Sequence, residues 1–100
     1  MPDTIRVVMF EEAGQWVAQC LEYDIAAQGP DLDSLNERLD VILKAELRES
    51  LARHGTPFAG IGPAPDRYQR MWDRRVRSLD VTTNAKAREG APTLDFALVA

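Results

Sequence analysis

The stretch Trp16–Leu51, WVAQCLEYDIAAQGPDLDSLNERLDVILKAELRESL, decides the fold. Its first residues, Trp16–Leu21, are an apolar run with an aromatic and a β-branched residue at its head and a single polar residue, Gln19, and read as a short strand. A polar turn follows at Leu21–Asp24, and a second short strand, Ile25–Gln28, closes at Gly29-Pro30, because proline cannot continue a ladder of backbone hydrogen bonds. Asp31 is placed to cap a helix by accepting from the free amides of its first turn, and Asp33 adds a favourable charge at the positive helix end. Leu32, Leu35, Leu39, Ile42, Leu43, Leu47 and Leu51 then recur at spacings of three and four. That spacing predicts a helix over Leu32–His54 with one apolar stripe facing the core. Asp33, Glu37, Arg38, Asp40, Lys44, Glu46, Arg48 and Glu49 take its other faces. Arg53 and His54 suit the negative end, and Gly55 is a natural residue for the left-handed turn just past it.

Working outward, Ile5–Glu11 (IRVVMFE) is rich in β-branched and aromatic residues and forms a hairpin with Trp16–Leu21 across the turn glycine Gly14. Ile5, Val7 and Met9 share one face, while Val8 and Phe10 share the other with Arg6. A strand apolar on both faces is central, or covered on both sides. Thr56–Ala64 is a Gly/Pro loop. Gly60 and Gly62 do not make it a phosphate loop, because the Lys and Ser/Thr of such a loop are missing and Pro63 removes a donor. Pro65 starts a second helix, 65–79, at the position proline favours, with an apolar face of Tyr68, Met71, Trp72, Val76 and Leu79. Residues 80–92 read as a polar linker, and 93–100 (TLDFALVA) as a last strand. The expected architecture is a single α+β domain ordered β-β-β-α-(α)-β. Its sheet is antiparallel, with Leu94–Val99 added at one edge, and the long helix covers one face.

One hundred residues make one domain with one modest core. The 45% apolar and 28% charged content is that of an ordinary globular protein. No apolar run approaches the roughly 18–20 residues that span a bilayer, and the N-terminus lacks the basic-then-apolar pattern of a signal peptide, so a cytoplasmic location is expected. A net charge of −4 argues against charge-driven nucleic-acid binding and fits a basic protein partner. Trp16, Tyr68 and Trp72 exceed what one helix on a small sheet hides, and the first strand is apolar on both faces. Both features point to a homodimer or higher oligomer.

The residues with chemical potential are few. A lone Cys20 excludes an internal disulfide and a cysteine-rich metal site. It reads as a small buried hydrophobe, since a nucleophile needs a nearby base and the chain's one histidine, His54, belongs to a helix end. Glu22 and Asp24 bracket Tyr23 as solvating turn carboxylates, with no third acid or histidine close by. Neither a cofactor nor a metal is expected, and no catalysis. Two charged rows remain as candidate contacts. Asp33, Glu37 and Asp40 form an acidic face on the first helix, suited to a basic protein. Arg67, Arg70, Arg74 and Arg77 form a basic stripe on the second, the feature on which RNA or a small ligand would be bound instead.

The segment Ile5 to Leu51 resembles the HicB family of bacterial antitoxins. The matching residues are the first strand IRVVMF, the aromatic strand WVAQC, the acidic turn LEYD, the strand end AAQG, and the cap Asp31 where the family has Thr or Ser. Ser34-Leu35 depart from the family's Glu-Ala. The resemblance implies a partial ribonuclease H-like fold. It also implies a role in masking a small ribonuclease toxin of the HicA type by protein–protein binding. Residues Thr56–Ala100 match neither of the DNA-binding modules that often follow in that family.

Overall fold

The computed structural model describes residues 4–74, 77–79 and 93–99. In chain order these form β1 (Thr4–Glu12), β2 (Gln15–Cys20), β3 (Ala26–Gly29), α1 (Leu32–His54), α2 (Asp66–Asp73), β4 (Arg77–Leu79) and β5 (Thr93–Leu98). The protein is α+β, as expected. The strands make one five-stranded sheet in the order β3-β2-β1-β5-β4. The expected linker at 80–92 lies outside the described residues.

β1 and β2 join through Ala13-Gly14, both at positive φ (52° and 79°), the geometry of the tight primed hairpin turn whose twist matches that of the strands. β3 ends at Gly29, which packs against the start of α1. A Cβ there would lie 3.1 Å from the Leu35 amide nitrogen, so a side chain would push strand and helix apart by a few tenths of an ångström, and glycine lets them approach without that cost. Asp31 is the N-cap, and its Oδ1 accepts from the Ser34 N–H at 2.7 Å. This exposed carboxyl titrates below its ordinary range because the Ser34 amide stabilises the anion. At the other end Gly55 is left-handed (φ 70°), and its N–H donates to the Leu51 carbonyl. Both helix ends are where the cap residues put them.

β1 is the central strand and is buried on both faces. Ile5, Val7 and Met9 join Ala18, Cys20, Ala27, Leu35, Leu39, Leu43, Phe58 and Phe96 in a core beneath α1. Val8, Phe10, Leu21 and Ala97 meet Trp72 on the opposite face, with Tyr68 and Met71 packed alongside. The long helix thus covers one face of the sheet and the short helix part of the other. Trp72 is buried against the chain's own sheet, and Trp16 packs at the margin of the core under α1. The aromatic surplus that suggested an oligomer is therefore largely absorbed within one chain.

The structure corrects the sequence reading at five points. The sheet is mixed, not antiparallel: β5 runs parallel to β1, with Val7 opposite Phe96 and Val8 opposite Ala97. Nor does β5 lie at the edge, because β4 pairs with its far side. Phe96 enters one core and Ala97 the other, so β5 is apolar on both faces and belongs inside the sheet. The second helix stops at Asp73, and Arg77–Leu79, expected as its last turn, are extended. Pairing with the open side of β5 outweighs a weak helical preference there. Pro65 precedes this helix as its cap residue rather than forming its first turn. Finally, the apolar stripe of α1 is shorter than its leucines imply. Leu32 and Leu51 overhang the sheet and are exposed, while Ser50 is buried in the stripe.

Candidate interaction surface

The acidic row of α1 survives folding as a surface feature. Asp33 and Glu37 are exposed, and no ion pair joins either among the described residues. Asp40, on the same face, is half-buried and bridges to Lys44 one turn on at 2.9 Å. At the side of this face lies a groove of about 340 Å³, lined by Gln28 of β3 and by Glu37, Arg38, Val41 and Ile42 of α1. Arg38 reaches across to donate to the Gln28 carbonyl at 2.8 Å, covering one outward-facing acceptor of the edge strand. Val41 is the most exposed large apolar side chain described, at 65%. Sequence reasoning placed Glu37 here but missed the groove. Its second wall comes from β3, and no spacing within the helix reports that.

The basic row is broken. Arg67, Arg70 and Arg74 are exposed on α2 and on the turn that ends it, but Arg77 has moved onto β4, and its side chain lies outside the described residues. Arg67 lies over the Tyr68 ring at 4.8 Å and donates to its hydroxyl. The Arg74 Nε donates to the Arg70 carbonyl at 3.3 Å, so this guanidinium is partly spent on capping its own helix. What remains is a three-arginine face next to Asp66 and Asp73, rather than a continuous four-arginine stripe.

The turn carboxylates are structural. The two oxygens of Glu22 accept from the backbone N–H and the Nε of Arg6, each at 2.6 Å, and the Arg6 guanidinium lies 5.6 Å over Trp72. Asp24 accepts from the buried Gln19 amide. The loop 61–64 is stitched onto this turn, with Asp24 N–H donating to the Gly62 carbonyl and Ala64 N–H to the Leu21 carbonyl. Cys20 is fully buried, and desolvation, with Glu22 nearby, pushes its thiol up to about 12. His54 is exposed and lines a shallow pocket of about 180 Å³ with Glu46, Glu49, Ser50 and Gly60. No group of three His, Cys, Asp or Glu side chains suited to a metal ion occurs among the described residues. Among those residues, too, no helix is long and apolar enough to cross a membrane.

No family model matches the chain, and neither a curated protein nor a solved structure matches it. Function must then be reached from the surface itself.

Proposed function

We propose that the chain is a non-catalytic, HicB-like interaction domain. It neutralises a small basic ribonuclease of the HicA type by binding it, with Asp33, Glu37 and Asp40 of α1 as the contact. The observation that carries this reading is the exposed acidic half of α1 in a chain of net charge −4, where Asp33 and Glu37 await a cationic partner. The β-β-β-α order over residues 4–54 supports it, since every motif behind the resemblance has a structural task there: Gly29 allows the close approach, Asp31 caps, and Glu22 clamps β1. The burial of Cys20 supports a binding role, because the chain's one thiol is walled off from any substrate. Such binding has no need of a cofactor. The location consistent with it is the cytoplasm.

The second reading is RNA or small-anion binding on Arg67, Arg70 and Arg74, favoured by their shared exposed face. Calorimetric titration with a basic HicA-type ribonuclease and, separately, with a single-stranded RNA at physiological salt decides between them. Binding of the ribonuclease that steepens at low salt and is lost in Asp33→Lys with Glu37→Lys is expected. RNA binding weakened by Arg70→Ala with Arg74→Ala, together with a flatter salt slope, overturns the first reading.

A further inference from the structure

We infer that the outer face of α1 is a self-complementary docking surface, on which a second copy of this chain packs with its own α1 antiparallel to the first. This goes beyond the role proposed above and does not depend on it.

Val41 stands at 65% exposure in the middle of α1, at the lip of the groove that contains the partly buried Ile42. A single exposed valine is ordinary. Here, however, a protruding apolar side chain and an apolar recess occupy the same patch, as a two-fold interface requires, because each copy must supply both halves of the fit.

Charge selects the occupant. Along the face that carries Val41, spaced four, four, three and four, run Asp33, Glu37, Val41, Lys44 and Arg48. The sign changes at Val41. An antiparallel second copy sets the acidic half of one helix against the basic half of the other, while a parallel one sets like against like. Lys44 is already held by Asp40 and Arg38 by the Gln28 carbonyl. Glu37 and Arg48 are exposed and form no ion pair among the described residues, so they are the charges free to cross between copies. Glu37 also belongs to the acidic row of the proposed partner contact, so self-pairing and capture of a basic protein exclude one another at that residue.

Sedimentation of the full chain over about 10–500 µM, the range of weak specific dimers, tests this. A monomer–dimer equilibrium is expected. Val41→Glu, Glu37→Arg and Arg48→Glu should each weaken dimerisation by roughly tenfold or more while leaving the circular dichroism, and the melting at concentrations too low for dimer, unchanged, since all three side chains are exposed. The decisive measurement mixes E37R with R48E. Each alone places like charges across the interface, whereas the mixture restores both opposite pairs and should re-form a dimer. A chain that stays monomeric throughout the range overturns the inference. So does a dimer indifferent to all three substitutions, or a mixture that fails to rescue two monomeric variants.

Discussion

Replacing Ser50 by Ala tests how the loop after α1 is held. Ser50 is buried in the apolar stripe of α1. Its hydroxyl donates to the Leu47 carbonyl at 3.0 Å and accepts from the Phe58 N–H at 2.7 Å. Phe58 is 2% exposed, takes a left-handed φ of 57°, and stacks on Tyr23 at 4.8 Å. Leu47 lies inside α1, where the helix ladder serves its carbonyl, so the truncation orphans one group, the buried Phe58 N–H. An unsatisfied buried donor costs about 1–3 kcal/mol. Alanine's better helix propensity returns about 0.5 kcal/mol. The net loss is about 0.5–2.5 kcal/mol, which lowers the midpoint of melting by roughly 2–12 °C in a domain of this size. Urea denaturation followed by tryptophan fluorescence gives the stability, and native-state hydrogen exchange gives the site. The Phe58 amide should lose protection by more than the global change, and Ser50→Thr, which keeps the oxygen, should lose less. A variant as stable as the parent, with Phe58 equally protected, would refute the assignment of Ser50 as the anchor of the loop.

Leu39→Ala, at a side chain with no exposure in the core beneath α1, should cost about 2–5 kcal/mol by denaturation, against less than about 0.5 kcal/mol for Val41→Ala on the opposite side. Cys20 should resist a thiol reagent in the native state and react at once in denaturant. Burial holds its folded pKa at about 12, above the thiol's ordinary value of 9.0, so the folded form keeps the proton longer. The associated stability is intact below about pH 9 and declines as pH rises toward 12, a slope that pH-dependent melting of Cys20→Ala against the parent should show disappearing. Ala13→Asn should raise stability by up to about 1 kcal/mol, because alanine at φ 52° occupies a left-handed position that asparagine tolerates better. A melting temperature unchanged by Ala13→Asn would show that the turn is not strained.

Everything legible in the sequence was local. Runs of β-branched, aromatic and apolar residues around Gly14 placed β1 and β2, three-and-four spacing placed α1, and Asp31 and Gly55 set its ends, because propensities, caps and periodicities act over one or two turns of chain. The two apolar faces of Ile5–Phe10 already said that this strand is covered on both sides. The acidic row Asp33–Glu37–Asp40 was likewise readable, since residues on one helix face need only helix geometry to be brought together. What tertiary structure alone decided is long-range. β5 pairs parallel to β1 across most of the chain's length, β4 takes Arg77 away from α2 and breaks the arginine row, and Ser50 fills an apolar slot because Phe58 turns back onto it. The groove beside Val41 exists because β3 and α1 meet there. Each depends on which distant backbone edge or buried amide needs a partner, and a hydrogen-bond donor left without one is a property of the assembled fold, not of any window of sequence.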